Sequence, residues 1–461
     1  MAHRFCRIRR LQRGLLDTSI PASLALADHV YAVRREILDP ALRSPNGFAF
    51  AGLVPIWLVL YPVFSASGPV VPLQYGRFRG QYRNRMAANS LQAGVTKRNS
   101  RLWWFHRKRK LNTIIFFVTS HCNATCETCF YWDELNQGGD LSWEEIVKLS
   151  ENTPEFTDLW FSGGEPTLRK ELPEIIDLFV RNNGVRYINL PTNGLKPNRI
   201  FEVAEHCLAK NQDLELHINI ALDGLRESHD FMRGVPGNFE RALESAKLLR
   251  KLKRPFGLRL IVNINTVITR DNLDEILPLA ELIRADRLAD GHYFNLIRGD
   301  AKNPGLKKVQ REKLRQVYSK LAEIQWSYAD GMFDDKNRFV KWIKKAVYVG
   351  TLTFHHRTQF QNLDVSTRWP MRCTAGETSA VIDFDGRIRA CELRQPIGNL
   401  RDVNMNLKVF WETPARTSEP DKIACDQCWC THVCFIHDSL RYSYKTMFLE
   451  VPKNYLLRKV W

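Results

Sequence analysis

NTIIFFVTSHCNATCETCF (residues 112–130) joins a buried-strand candidate directly to a cysteine-rich loop. Residues 112–120 are rich in β-branched and aromatic side chains, which favours a strand buried on both faces. TDLWFSGG (157–164) is predicted to be a second strand that ends in glycines, and VRYINLPTNG (185–194) a third. Helical segments lie between them, and alternating strands and helices of this kind predict a parallel sheet.

The same alternation continues towards the C-terminus. Further strands are predicted at 214–224, 256–268 and 291–297, and helices at 141–153, 171–183, 198–210, 238–252 and 271–285. Ser142, followed by Glu145, is a candidate helix cap, and Gly184 is expected to end the second helix. Six strand–helix units over residues 111–304 predict an α/β fold, an open, partial (β/α)6 TIM-like barrel.

The remaining residues predict a helical connector at 305–365 and a small metal-stapled domain at 366–445. In that domain, SAVIDFDGRIRAC (379–391) is a hairpin candidate. Asp385 and Gly386 supply the turn, because a tight hairpin turn needs a residue that tolerates positive φ. Residues 446–461 are expected to be a C-terminal tail.

Charge is distributed unevenly along the 461-residue chain, whose formal net charge is +17. Residues 1–110 hold 19 Lys and Arg against 4 Asp and Glu, whereas the remainder holds 48 against 46. The basic character therefore belongs to the N-terminal segment, which suits membrane phosphates, RNA or a solvated tail. Because the rest of the chain is nearly neutral, nucleic acid is not expected as a partner.

An apolar run in the basic segment, FAFAGLVPIWLVLYPVFS (48–65), has 18 residues without a charge. That is the lower limit for a bilayer span. Four arginines follow it and would keep that side in the cytoplasm; they are Arg77, Arg79, Arg83 and Arg85. We therefore expect a cytoplasmic protein with membrane association through residues 48–65. The alternatives are a buried helix and an extension upstream of a start at Met86.

Nine of the eleven cysteines fall in two groups, at 122–129 and 373–434. Clustered cysteines with short spacers are typical of metal sites in a reducing compartment. In the first group, Cys122, Cys126 and Cys129 offer three thiolates, enough for three corners of a four-iron cluster. The fourth iron is then left for a small molecule that chelates through an amine and a carboxylate. The alternative is a zinc site completed by His121 or a distant ligand.

The second predicted strand ends in Ser162-Gly163-Gly164-Glu165-Pro166. Adjacent glycines let a backbone approach a ligand closely, and the Glu165 carboxylate can accept a hydrogen bond from an ammonium group. Both this motif and the cysteine loop follow strands of one parallel sheet. They are therefore expected at the same edge, where barrels keep their active-site loops.

The two motifs together resemble those of the radical S-adenosylmethionine (radical SAM) enzymes. Cys-x3-Cys-x2-Cys followed by an aromatic residue is similar to their cluster loop, and GGEP to the motif that receives the methionine amine. The resemblance covers residues 112–300 and implies that a [4Fe–4S] cluster and S-adenosylmethionine are cofactors. It implies that the reduced cluster cleaves S-adenosylmethionine to a 5′-deoxyadenosyl radical, which abstracts a hydrogen from the substrate.

The resemblance also implies roles for individual residues. Cys122, Cys126 and Cys129 would bind the cluster, and Phe130 or Tyr131 would lie near the adenine. Residues after the strands would contact S-adenosylmethionine; they are Gly163, Gly164, Glu165, Pro166, Asn193, Asp223 and Asn265. For Asn193 and Asp223 the alternative is a tight turn built on Asn-Gly or Asp-Gly. For Asn265 it is a buried, hydrogen-bonded pair with Thr266.

Arg298, with Gly299 and Asp300, follows the sixth predicted strand and is a candidate for substrate contact. Four histidines have no partner motif and are expected at the surface or satisfied in the core; they are His292, His355, His356 and His437. No residue is assigned a catalytic role.

The second cysteine group resembles the auxiliary-cluster domains called SPASM or twitch. Cys373 and Cys391 flank the predicted hairpin, and four more cysteines follow it: Cys425, Cys428, Cys430 and Cys434. Six cysteines thus compete for the four places of one auxiliary [4Fe–4S] cluster. The pattern for two clusters is incomplete, and Asp438 or His432 is a candidate to complete the second. A zinc ribbon is the alternative.

Three hypotheses about function remain open. The first is a radical SAM enzyme that acts on a small molecule, such as a sugar, a lipid-linked compound or a secondary metabolite. The second is a radical SAM maturase that modifies a peptide or protein side chain. The third is a non-enzymatic zinc or iron–sulfur protein. The first two require a substrate and a one-electron reductant, such as flavodoxin or ferredoxin, as partners.

Overall fold

The structure, a computed structural model, describes residues 109–333 and 335–461, which belong to one compact unit. The strands are β1 (Thr113–Phe117), β2 (Asp158–Ser162), β3 (Tyr187–Thr192), β4 (Glu215–Ala221), β5 (Leu260–Ile268), β6 (Gly291–Leu296), β7 (Ser379–Ile382), β8 (Arg387–Arg389) and β9 (Gly398–Asn399).

The helices between and after these strands are α1 (Trp143–Glu151), α2 (Leu172–Asn183), α3 (Pro197–Lys210), α4 (Arg226–Arg233), α5 (Asn238–Lys251), α6 (Lys253–Phe256), α7 (Ile276–Ala285), α8 (Arg311–Met332), α9 (Arg338–Gln361), α10 (Leu407–Trp411), α11 (Pro414–Thr417), α12 (Glu419–Cys425), α13 (Val433–Leu440) and α14 (Val451–Leu456). Short 3-10 helices occur at Trp132–Glu134, Pro166–Leu168, Gly257–Arg259, Pro304–Lys307 and Leu400–Val403, and a π-helix at Thr446–Glu450.

All described strands belong to one sheet in the order β6-β5-β4-β3-β2-β1-β7-β8-β9. Every neighbouring pair from β6 to β7 is parallel. Because β6 and β9 stand at opposite ends of this order, the sheet is open. The predicted fold class, a partial barrel of six strand–helix units, is confirmed.

Local sequence signals place the first helices where they were predicted. Ser142 and Glu145 form a capping box at the start of α1, in which each side chain accepts from the other residue's backbone N–H. Gly184 ends α2 with a φ of +71°, a conformation that costs glycine little. Helix α4 was not predicted, because its composition is polar and buries only His229 and Met232.

Alternate strand residues divide the sheet into two faces. The outer face is apolar and packs in the same core as the helices; its residues include Ile114, Leu159, Leu190, Ile218 and Ile264. The inner face over β1, β2 and β7 is also apolar and packs with residues from the C-terminal part; this second core includes Ile115, Phe117, Val381, Trp369, Phe435 and Ile436. The C-terminal cysteine region is thereby held against the inside of the barrel sheet.

The predicted hairpin is formed by β7 and β8. Its turn has Gly386 at a φ of +86°, and the Gly386 N–H donates to the Asp383 carbonyl at 3.0 Å. Strand β7 also pairs in parallel with β1, so the hairpin extends the barrel sheet. The domain limits at 304, 365 and 445 stay predictions. Residues 446–461, predicted to be a tail, contain the π-helix and α14.

A buried polar cluster fixes α13 beneath the hairpin and β1. Asp438 on α13 accepts hydrogen bonds from the hydroxyls of Thr374 at 2.7 Å and Thr378 at 2.6 Å through one oxygen. Its other oxygen accepts from the Thr113 hydroxyl at 3.3 Å. Arg441 reaches Asp158 on β2 at 3.3 Å. Because its oxygens are bound by hydroxyls, this arrangement does not support Asp438 as a cluster ligand.

Two predictions fall on residues that the structure does not describe. Most of the basic segment and the whole of residues 48–65 lie outside the described ranges. Within the described ranges, none of the helices combines the length and the apolar character needed to cross a bilayer.

We predict that Asp438→Ala destabilises the fold by about 3 kcal/mol, since removing one partner of a buried charged cluster strands the others. Urea unfolding followed by tryptophan fluorescence, at equal iron content, measures the change. Asp274→Ala is the matched control, because Asp274 is 81% exposed in its ion pair with Lys313 and should cost less than about 0.5 kcal/mol. Equal midpoints for both variants would contradict the prediction.

Candidate active site

The cysteine loop after β1 is held by the backbone that follows β2. The N–H of Gly164 donates to the Thr119 carbonyl at 2.9 Å, and the N–H of Glu165 donates to the His121 carbonyl at 2.8 Å. A Cβ on Gly164 would lie only 2.1 Å from the His121 carbonyl oxygen. The two motifs predicted to meet are therefore in direct backbone contact, and no side chain fits between them.

The three thiols of this loop lie close enough to influence one another. Burial raises the pKa of Cys122 to about 12 and that of Cys129 to about 11, and neighbouring thiols add to both increases. As free thiols, Cys122 and Cys129 are therefore protonated at neutral pH. Thiolates here need a compensating positive charge, which a bound metal supplies.

Helix α4 closes the loop from the other side. The N–H groups of Thr125 and Glu127 donate to the carbonyls of Arg233 and Met232, at 3.1 and 2.9 Å. The Arg233 guanidinium lies 3.5 Å from the Cys126 sulfur. Sequence reasoning missed Arg233, although two residues spaced three apart, His229 and Met232, form the buried face of the short helix that it ends.

Arg233 is paired with Asp223, one of the predicted cofactor residues. Its Nη2 lies 2.9 Å from Asp223 Oδ2, while Asp223 Oδ1 accepts from the Val267 N–H at 2.8 Å. Burial alone would lower the pKa of Arg233, but the Asp223 carboxylate and the Cys126 thiol outweigh it and raise the pKa. The guanidinium therefore remains charged beside the cysteine loop.

Glu165 is 3% exposed and joins the ends of β2 and β3. Its Oε1 accepts from the Thr167 hydroxyl at 2.6 Å, the Thr167 N–H at 3.2 Å and the Thr192 hydroxyl at 2.8 Å. Among the described residues its Oε2 accepts from the Asn193 N–H alone, at 2.7 Å. Burial raises the pKa of this carboxyl. Since each carboxylate oxygen has two lone pairs, Oε2 retains the capacity for one further donor.

Asn193 connects the end of β3 to the cysteine loop. Its amide donates to the Asn123 side chain at 2.8 Å, and its Oδ1 accepts from the Leu195 N–H at 3.0 Å. Pro166 is buried at the start of a 3-10 helix. Asn265 is half-buried on β5. Because the ends of parallel strands meet at one edge, these residues share the edge that carries the cysteine loop.

The two aromatic residues after Cys129 differ in their surroundings. Tyr131 is 6% exposed and packs in the second core, with its ring centroid 4.5 Å from that of Phe117. Phe130 is half-buried and carries the guanidinium of Arg298 over its ring, 4.9 Å from the centroid. Of the two, Phe130 has the more accessible ring.

The C-terminal cysteines form a second group. Burial raises the pKa of Cys373 and Cys434 to about 12 and that of Cys430 to about 11. Cys428 adds to the increase at Cys373, and Cys430 adds to it at both Cys373 and Cys391. Cys425 is different, since it is exposed at the end of α12 and disulfide-bonded. Cys425 is therefore not one of the free thiols of this group.

A chain of charged groups lies against this second group. Arg298 Nη2 donates to Glu392 Oε1 at 2.8 Å, and the same oxygen lies 2.8 Å from His432 Nε2. His432 Nδ1 is 3.8 Å from the Cys391 sulfur. Burial opposes the ionisation of Glu392, but His432 and Arg298 outweigh it and lower its pKa to about 2. Glu392, directly after Cys391, was also missed from the sequence.

Within the described residues, no group of three or more His, Cys, Asp or Glu side chains is close enough to hold a single metal ion. A zinc ion with bonds of about 2.3 Å to sulfur needs ligand atoms within roughly 4 Å of one another. The thiols of a four-iron cluster stand further apart, each on a different iron, so this result concerns mononuclear sites alone.

The inner face over β3, β4 and β5 carries a chain of side-chain amides. The Asn219 amide donates to Asn189 Oδ1 at 2.6 Å, and the Asn263 amide donates to Asn219 Oδ1 at 3.1 Å. Asn265 and Asn295 continue this polar surface towards the edge that carries the cysteine loop. Neutral groups that both donate and accept hydrogen bonds therefore line the barrel interior beside the candidate site.

Comparison with known proteins matches residues 116–283 to the radical SAM superfamily. The Fe-coproporphyrin III synthase of Methanosarcina barkeri is 29% identical over 41% of this chain and 45% of its own length. An AdoMet-dependent heme synthase of Oleidesulfovibrio alaskensis is 25% identical over 70% of this chain and 81% of its own. The Bacillus subtilis sporulation killing factor maturation protein SkfB is 22% identical over 62% of each chain.

The alignment with the first of these relatives spans about half of that relative's length. The matched residues contain the cysteine loop, GGEP, the ends of β3 to β5 and Arg233. The predicted cofactors, a [4Fe–4S] cluster with S-adenosylmethionine, are those of this superfamily, and auxiliary [4Fe–4S] clusters occur in its SPASM-type members. Residues 116–283 of this chain therefore form a radical SAM superfamily domain.

Proposed function

We propose that the protein is a radical SAM enzyme that abstracts a hydrogen atom from a small, neutral, polar substrate. Cys122, Cys126 and Cys129 would hold the reactive cluster, and the C-terminal cysteines an auxiliary one. The observation that carries the proposal is the backbone contact between the cysteine loop and Gly164. It places three thiols and the free lone pair of Glu165 at one edge of the barrel.

The residues present fit the reactive cluster. Three mutually close thiols leave one iron without a protein ligand. Arg233 Nε is buried without a hydrogen-bond partner among the described residues, although its Nη atoms contact Asp223 and Cys126. An unpartnered donor beside protonated thiols suits a negatively charged group held between them.

The fit extends to S-adenosylmethionine. Glu165 Oε2 has one remaining lone pair for its ammonium group, and Phe130 offers an accessible ring for the adenine. The strand-end residues would surround the rest of the molecule; they are Gly163, Gly164, Pro166, Asn193, Asp223 and Asn265. When bound, the two cofactors supply reductive cleavage of the sulfonium by one electron, and the resulting 5′-deoxyadenosyl radical takes a hydrogen atom from the substrate.

The auxiliary cluster fits the second group of thiols. Cys373 and Cys391 would be two of its four ligands. Two of the three cysteines Cys428, Cys430 and Cys434 would be the others. His432 lies among these cysteines, but its ring contacts Glu392. Four thiols can therefore bind the cluster without His432. The chain's contribution is to exclude water, since the second core covers these thiols with Trp369, Phe435 and Ile436.

The substrate class is inferred from the inner face of the barrel. Amide groups dominate it, and the nearby cations Arg233 and Arg298 are each paired with a carboxylate. Hydroxyls and amides of a substrate can hydrogen-bond to such a surface without leaving a charge unpaired. A small hydroxylated molecule, such as a sugar, fits these groups.

A second candidate function is peptide maturation. It is favoured by the similarity to SkfB, which extends over more than half of both chains. Side-chain amides also pair well with a peptide backbone, so the inner face suits this substrate too. Flavodoxin or ferredoxin is the proposed electron donor in either case.

The first prediction concerns Gly164→Ala. Its Cβ would collide with backbone atoms of His121, so the cysteine loop must move. A displacement of about 1 Å can slow a positioned reaction by about 100-fold, and we expect that loss in 5′-deoxyadenosine formation with dithionite. Gly331→Ala is the control, because nothing lies within 4 Å of the Cβ it would add on α8. Wild-type rates in Gly164→Ala would refute the contact's role.

The second prediction concerns iron. Two clusters require about eight iron atoms per chain after anaerobic reconstitution. Changing Cys122, Cys126 and Cys129 together to Ala should remove about four iron atoms and all 5′-deoxyadenosine formation. Changing Cys373 and Cys391 to Ala should remove about four while leaving some cleavage.

Cys425→Ala provides the control for both cysteine variants, since Cys425 is disulfide-bonded and not a free thiol; it should keep all the iron. Cleavage of S-adenosylmethionine by the triple variant would sink the proposed ligand set. A wild-type iron content near four would exclude the auxiliary cluster but not the reactive one.

The third prediction separates the substrate classes. The source organism is grown in heavy water, and its cell extract is divided by size into a small-molecule fraction and a peptide fraction. Each fraction is then incubated with the reconstituted protein and unlabelled S-adenosylmethionine. Deuterium in 5′-deoxyadenosine reports hydrogen abstraction from that fraction, and we expect it from the small molecules. Label from the peptide fraction alone would replace our proposal by the second candidate. The triple cysteine variant gives the background.

A further inference from the structure

An ion pair inside the protein joins the end of β6 to the residue after Cys391. Arg298 lies just past β6, and Glu392 is 3% exposed. Their side chains meet at 2.8 Å. Arg298 Nε is buried and has no hydrogen-bond partner among the described residues. The guanidinium is therefore held by one carboxylate and keeps a free donor.

The same guanidinium faces both cysteine groups. On one side it covers the ring of Phe130, which directly follows Cys129. On the other side its partner Glu392 directly follows Cys391, and the same carboxylate oxygen lies 2.8 Å from His432 Nε2, whose ring reaches the Cys391 sulfur at 3.8 Å. Arg298 thus contacts the residue next to the first cysteine group and, through Glu392, the residue next to Cys391.

Arg233 holds a similar position at the first group, where it pairs with Asp223 and contacts Cys126. Each cysteine group therefore has its own partly buried arginine, and each arginine has its own carboxylate. A cluster bound by thiolates becomes more negative when it accepts an electron. A nearby cation stabilises the reduced form, and a nearby carboxylate destabilises it.

We propose that Arg298 and Glu392 are positioning residues that set the reduction potential of the auxiliary cluster by opposing charges. Arg298 raises the potential, and Glu392 moderates this effect while fixing the guanidinium between Phe130 and the C-terminal thiols. The inference rests on the proposed auxiliary cluster and goes beyond it, because it assigns a role to residues that need not ligate iron.

The test is a redox titration followed by electron paramagnetic resonance on the reconstituted full chain. Arg298→Gln removes the cation and should lower the potential of the auxiliary cluster. Glu392→Gln removes the anion and should raise it. The double variant should return towards the wild-type value, and Arg298→Lys, which keeps the charge, should stay close to it. A merely structural role would not give shifts of opposite sign.

A matched control is a second ion pair between the same parts of the chain. Glu134 follows the cysteine loop, and Arg387 lies on β8; they meet in a two-point contact at 3.0 and 2.8 Å. Neither is adjacent to a cysteine. Glu134→Gln and Arg387→Gln should leave the auxiliary potential unchanged, so a shift in them equal to that of Arg298→Gln would overturn the inference.

The outcomes separate the inference from its premise. About eight iron atoms with unchanged potentials, or with shifts of the same sign in both variants, would overturn the role of Arg298 and Glu392 alone. About four iron atoms in the wild type would overturn it together with the auxiliary cluster. If Arg298→Gln fails to assemble a cluster, the upward shift of Glu392→Gln still decides the question, since its absence refutes the proposal.

Discussion

The partial burial of the thiols in the two cysteine groups is the constraint on which the other features depend. Burial keeps the free thiols protonated, so thiolates form only where positive charge compensates them. The chain supplies part of this charge through the guanidinium groups of Arg233 and Arg298. Each guanidinium forms an ion pair with a carboxylate. The Asp223 and Glu392 pairs are therefore part of the two sites, although neither residue need touch iron.

The topology of the sheet explains how two groups of cysteines separated by about 250 residues share one interior. Because β7 pairs in parallel with β1, the hairpin that carries Cys391 begins beside the strand that carries the first cysteine loop. The apolar inner face of β1 and β2 then packs against Trp369 and Phe435. Asp438 and its threonine partners hold α13, which carries Cys434, beneath this joint, and with it the preceding loop that bears Cys430.

Much of this arrangement could be predicted from the chain itself. Periodicity located the six barrel strands, and the Asp385–Gly386 turn located the hairpin, because both depend on local backbone preferences. The pairing of β7 with β1 could not be predicted, since it depends on packing between distant segments. Arg233 was missed because α4 is too polar to show a clear pattern. Glu392 was missed because nothing local distinguishes a buried carboxylate from a solvated one.

The two halves of the sheet's inner face differ in polarity. Over β1, β2 and β7 the face is apolar and packs in the second core, which buries Cys391 and partly buries the other free C-terminal cysteines. Over β3 to β5 it carries Asn189, Asn219 and Asn263 in one hydrogen-bonded chain, which keeps polar groups inside the barrel without burying net charge. The edge between these halves has an apolar surface on one side and a hydrogen-bonding surface on the other. In the function proposed above, a substrate at this edge would present a C–H bond towards the cysteines while its polar groups were held by the amides.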